Sequence, residues 1–152
     1  MTQEAPAERC LVDGEWSSHV SVADRGFALG DGLFETMRVR AGRIPGWSRH
    51  MGRLARGCSA LAIPAVPVEC LEAEVSRAIA GAERGVIRLT VTRGPGPRGY
   101  APPSDPTPTR AIAFRADPPS PARSPEPITL TWCRTRLASQ PRFQEKTLYE
   151  YR

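Results

Sequence analysis

The chain has 152 residues, a net charge of +5 and 40% hydrophobic residues, enough for one ordinary domain with a core of its own. Its 21 basic residues are scattered singly among 16 acids with no basic run, which describes a solvated surface and argues against a nucleic-acid face, while small anionic ligands stay compatible with it. No stretch approaches the roughly 18 apolar residues of a membrane span, and the N-terminus has acids where a signal peptide has a basic region. Cys10, Cys58, Cys70 and Cys133 form no C-x-x-C pair, and with two histidines they complete no zinc ligand spacing, so no metal is expected and the protein reads as reduced and cytoplasmic.

In chain order, Cys10–Val12 and Glu15–Trp16 flank Asp13–Gly14, a pair that tolerates the positive φ of a type I′ hairpin turn. Val20–Val22 alternates and predicts a further strand. From Asp24 to Gly32 three glycines punctuate a tight turn, which leads into a strand over Leu33–Arg40 and so offers no helix N-terminus to an anion. Ser48 is the expected cap of a helix from Arg49 to Leu61, because Met51, Leu54, Cys58 and Leu61 recur at steps of three and four. Ile63–Pro64 stops it. Pro67 suits the start of a second helix, whose apolar stripe is Val68, Leu71, Val75 and Ile79.

Val86–Thr92 and Arg110–Arg115 predict two more strands, joined by a long exposed loop from Gly94 to Thr109 that is too rich in proline and glycine for helix or central strand. Asp117–Pro127, with five prolines, predicts an extended, semi-rigid linker. Ile128–Cys133 then predicts the first strand of a second domain that the remaining residues are too few to complete. The fold class is therefore α+β: an antiparallel sheet flanked by two helices over residues 1–116, a proline-rich linker over 117–127, and over 128–152 the start of a second β-rich domain.

Three segments carry a resemblance. Asp24-Arg25-Gly26-Phe27-Ala28-Leu29-Gly30-Asp31-Gly32-Leu33-Phe34-Glu35-Thr36, His50-Met51-Gly52-Arg53-Leu54 and Glu145-Lys146-Thr147-Leu148 resemble, in order, the D-R-G-x-x-x-G-D-G-x-F-E-T, H-x-x-R-L and lysine segments of the class IV aminotransferase and aminodeoxychorismate lyase family. A fourth, Thr92–Tyr100, is similar to the R-G-x-G-x-R-G-Y loop of aminodeoxychorismate lyases; Tyr100 stands where D-amino-acid aminotransferases of the family have a histidine. The resemblance implies a homodimeric enzyme whose cofactor is pyridoxal 5′-phosphate (PLP), which acts on a small amine-bearing carboxylate. As a lyase of folate biosynthesis it would release pyruvate and 4-aminobenzoate; as an aminotransferase it would act on D-amino or branched-chain amino acids.

The same resemblance assigns site residues. Lys146 becomes the catalytic lysine that also binds the cofactor covalently, and it is the only lysine among 152 residues. A guanidinium stays protonated, whereas a lysine amine can be made neutral by desolvation or a cationic neighbour and then attack an aldehyde. Arg53 becomes the cofactor-phosphate ligand, a planar fork of donors suited to that group. Phe34, Thr36, Arg98 and Tyr100 become substrate-binding residues, Arg98 as a bidentate partner for a carboxylate; Phe34 replaces a tyrosine found in several aminotransferases and removes a phenolic hydrogen bond. The chain continues past Leu148 with Tyr149-Glu150-Tyr151, where many family members have Asn. It lacks the family's second half, including the acidic partner of the pyridine nitrogen, so the alternative is a truncated, non-catalytic remnant.

Overall fold

The structure, a computed structural model, describes residues 8–117 and 127–134. Lys146 and most of the linker lie outside these residues. Five strands, β1 (Glu8–Val12), β2 (Glu15–Trp16), β3 (Gly32–Arg40), β4 (Arg84–Thr92) and β5 (Arg110–Ala116), form one antiparallel sheet in the order β2-β1-β5-β4-β3. Three helices accompany it: α1 (Arg25–Leu29), α2 (Trp47–Leu61) and α3 (Val68–Ile79). None is long and apolar enough to cross a membrane.

Side chains alternate along each strand, and the register puts Leu33, Met37 and Val39 of β3 on the same face as Ile87, Leu89 and Val91 of β4 and Ile112 and Phe114 of β5. These residues are buried together with Met51, Leu54 and Cys58 of α2 and Leu71, Val75 and Ala78 of α3, so both long helices cover one face of the sheet. Their spacing on the helices is the expected stripe, except that Val68 at the start of α3 remains 40% exposed. The other face carries Phe34, Thr36 and Arg38, opposite Thr90, Arg88 and Val86.

The β1–β2 turn has positive φ at both Asp13 and Gly14, as a type I′ turn requires. Four local expectations fail, each for a physical reason. Val20–Val22 forms no strand: the amide of Asp24 donates to the carbonyl of Ser21, that of Ala23 to the Ser21 hydroxyl, and the chain turns there. The glycine-rich segment is not only a turn but holds α1, because Asp24 accepts from the amides of Gly26 (2.8 Å) and Phe27 (3.3 Å) and starts a helical turn that Gly30 ends. Helix α2 begins at Trp47 with Gly46 at the cap in a left-handed conformation, so Ser48 falls inside the first turn and caps nothing. Ile128–Cys133 pairs with no strand among the described residues, and Ile128, Leu130 and Trp132 are exposed; alternation alone gives no strand without a neighbour to bond.

Candidate active site

Arg53 projects from α2 onto Glu35, the one carboxylate on the helix-covered face of β3. Its Nε donates to Glu35 Oε1 at 2.6 Å and its Nη2 to Oε2, the two-pronged geometry a guanidinium makes with a carboxylate. His50, one turn earlier on α2, places Nδ1 2.7 Å from the same Oε2. Glu35 is 1% exposed. Burial pushes its carboxyl pKa up, but hydrogen bonds and positive charge from Arg53, with a further hydrogen bond from His50, outweigh that and hold it below the ordinary glutamate range. Nδ1 of His50 also lies 3.2 Å from Arg53 Nη2, so Glu35, His50 and Arg53 form one network. Arg53 is thus fixed in one orientation at the edge strand of the sheet while 28% of its side chain stays accessible.

Phe34 and Thr36 lie on the opposite face of the same strand. Phe34 is 7% exposed and stacks under the Arg88 guanidinium, 4.1 Å from the ring centroid, whereas Thr36 is exposed. Alternation along β4 sets Thr92 on this face with Thr90, and α1 packs there: the Thr92 hydroxyl donates to Asp24 Oδ2 at 2.8 Å and accepts from the amide of Gly94 at 3.0 Å.

Arg98 and Tyr100 sit in the loop that leaves β4. Both are exposed, Tyr100 at 87%. The loop is tied to α1 by backbone bonds from Arg25 to Gly94 and from Gly96 to Ala23, and by the Arg25 side chain. Asp31 is the hinge of this corner. It accepts from Arg25 Nε at 2.8 Å and from Arg93 Nε at 2.7 Å, and Arg93 in turn donates to the carbonyls of Leu61 (2.7 Å) and Ala62 (2.8 Å) at the end of α2. Burial raises the Asp31 pKa, yet the hydrogen bonds and charges of Arg93 and Arg25 lower it on balance.

The residues singled out from sequence therefore fall into two groups. Phe34 and Thr36 share the face turned away from α2 and α3, where α1 packs against β4, with the loop of Arg98 and Tyr100 anchored at its end; Arg53 stands across β3 on the side of the two long helices. Sequence reading missed Glu35, Asp24, Arg25, Asp31 and Arg93 as individual actors. For Glu35 a signal existed, a carboxylate in the apolar phase of Leu33-x-Glu35-x-Met37-x-Val39, and for Asp24 a local one, a capping residue two and three positions before the amides it accepts from. The bonds of Asp24 to Thr92, of Arg25 to residues 99–101 and of Asp31 to Arg93 span more than sixty positions and leave no local signal.

The profile of the family described as amino-transferase class IV matches residues 32–148. An aminodeoxychorismate lyase of Vibrio harveyi is 30% identical over 131 residues, 86% of this chain and 48% of the relative. A D-alanine aminotransferase of Staphylococcus aureus (strain MSSA476) is 30% identical over 115 residues, 70% of this chain and 40% of the relative. Among solved structures, 4-amino-4-deoxychorismate lyase of Pseudomonas aeruginosa superposes with a TM-score of 0.66 and 46% identity, over 74% of this chain and 41% of that one. The chain thus spans less than half the length of these relatives.

Proposed function

From a chain that belongs to the amino-transferase class IV family, we propose the N-terminal part of a PLP-dependent lyase that splits aminodeoxychorismate into 4-aminobenzoate and pyruvate. The observation that carries this reading is the likeness to the Pseudomonas aeruginosa lyase at 46% identity. It agrees with the R-G-x-G-x-R-G-Y character of the loop at Arg98 and Tyr100. Residues 1–116 form the small domain, 117–127 the linker, and a second domain starts at 128. Under this reading the protein is a cytoplasmic homodimer of folate biosynthesis.

The described residues fit the phosphate of PLP. Arg53 offers a guanidinium held in one orientation by a buried carboxylate and partly open to a ligand, so it binds an anion without losing much side-chain freedom. Lys146 holds the cofactor covalently and serves as proton carrier to the substrate ring. When bound, PLP supplies the electron sink that stabilises charge developing next to the substrate amine. Phe34 and Thr36 line one wall for the ring, and Arg98 with Tyr100 takes a carboxylate.

A second reading, transamination, is favoured by the Staphylococcus aureus relative. The two are separated by product: the full-length protein with PLP releases pyruvate and 4-aminobenzoate from aminodeoxychorismate if it is the lyase. Efficient amino transfer from D-alanine or a branched-chain amino acid, with no pyruvate released from aminodeoxychorismate, overturns the lyase reading.

A further inference from the structure

Residues 97–101 are exposed and include Gly99, which leaves the backbone free to take several conformations. Yet three consecutive carbonyls converge on one side chain: Arg25 Nη1 donates to Gly99 (3.4 Å) and Ala101 (3.2 Å), and Nη2 to Tyr100 (2.9 Å). Arg25 is 6% exposed. A buried guanidinium is unfavourable unless its donors find acceptors, and Asp31 takes only the Nε edge. The other two nitrogens are satisfied by the loop, so the charge that the core excludes from water is also what orders the loop. Through Asp31 the clamp is continuous with Arg93 and the last carbonyls of α2.

We propose that Arg25 is a positioning residue that pre-orders the loop carrying Arg98 and Tyr100, so that both side chains are presented to the substrate by a backbone fixed in advance. This deepens the reading of that loop as substrate-binding and rests on it. The clamp does not require Arg25 to touch the substrate, and its loss leaves Asp31 paired with Arg93, so the domain keeps its fold when the clamp is removed.

Arg98 lies in the exposed loop and is followed by Gly99, so the rate of tryptic cleavage after Arg98 reports loop opening without reference to activity. In full-length Arg25→Gln with a wild-type far-UV spectrum, that cleavage is expected to be about tenfold faster, and KM for aminodeoxychorismate about tenfold higher with kcat changed less than about twofold, since only the fraction of ordered loop has fallen. Gly96→Ala approaches the clamp from the loop side: a Cβ there would lie 2.9 Å from Arg25 Cδ and 3.2 Å from Cγ, so it shifts both measurements the same way by a smaller factor. Unchanged cleavage after Arg98 in folded Arg25→Gln overturns the clamp. Faster cleavage with unchanged KM overturns its role toward substrate. Wild-type protein inactive on aminodeoxychorismate refutes the lyase reading by itself; KM is then measured on the amino acid that is transaminated, which keeps the two failures distinct.

Discussion

Replacing Glu35 by Gln keeps the volume of a side chain that is 1% exposed and changes only what it offers its partners. Three contacts converge on the carboxylate, from Arg53 Nε (2.6 Å), Arg53 Nη2 and His50 Nδ1 (2.7 Å). An amide retains one oxygen, so one partner keeps its acceptor while the NH2 group faces donors at the other position. Breaking a fully buried ion pair costs about 3–5 kcal/mol. Here Arg53 and His50 are 28% and 22% exposed and can recover water, which lowers the expected loss to about 2 kcal/mol, near that of one charge-assisted hydrogen bond. Urea unfolding at pH 7 measures it, and in an Arg53→Ala background the same substitution is expected to cost less than about 0.5 kcal/mol. The pH dependence has a definite sign. Glu35 has a folded pKa below its unfolded one, so its contribution is complete above about pH 4.3 and is lost as pH falls through the folded value; the gap between wild type and Glu35→Gln should close in that acid window. Equal costs in the two backgrounds, or a gap that widens in acid, would refute the linkage of Glu35 to Arg53.

Lys146→Ala in the full-length protein should abolish the PLP absorbance band that borohydride bleaches, and tryptic mapping of the reduced wild type should place the pyridoxyl group on Lys146; finding it on another residue removes the assignment. Arg53→Ala should weaken PLP binding by about 1.5–3 kcal/mol, measured by cofactor titration, and an unchanged dissociation constant takes Arg53 out of the site. Thr92→Val keeps the shape but withdraws a donor from Asp24 and an acceptor from the Gly94 amide, so the midpoint of thermal unfolding should fall, by a free energy of about 1–3 kcal/mol. A Thr92→Val protein as stable as wild type shows that neither bond matters to the fold.

Periodicity read the long elements well, and for a physical reason: β3, β4, β5, α2 and α3 each bury one face, and burial stamps a repeat of two or of three and four on the residues. It misread short segments in which one backbone bond decides the outcome. Ser48 has the chemistry of a cap, but Gly46 reaches the left-handed conformation that starts α2 earlier. Val20 and Val22 alternate around Ser21, whose hydroxyl and carbonyl bend the chain instead. The motif around Asp24–Gly32 was legible as a resemblance and opaque as a structure, since its polar members work on Thr92, Arg93 and residues 99–101, more than sixty positions away. Arg53 was singled out correctly as a residue on α2, while its clamp Glu35 went unnoticed because strand alternation was read there for its apolar members only.

The division of β3 between its two faces has a consequence for how such a protein can change. Leu33, Glu35, Met37 and Val39 answer to the helices, and Thr36, Arg38 and Arg40 stand exposed between them, so neighbouring residues on one strand face different selective demands. A saturation scan should therefore show tolerance that flips at every step along 35–40, and a library confined to Thr36, Arg88 and Thr90 could explore new ligands while leaving the packed side of the sheet as it is. The strand works as a two-sided page, and rewriting one side does not smudge the other.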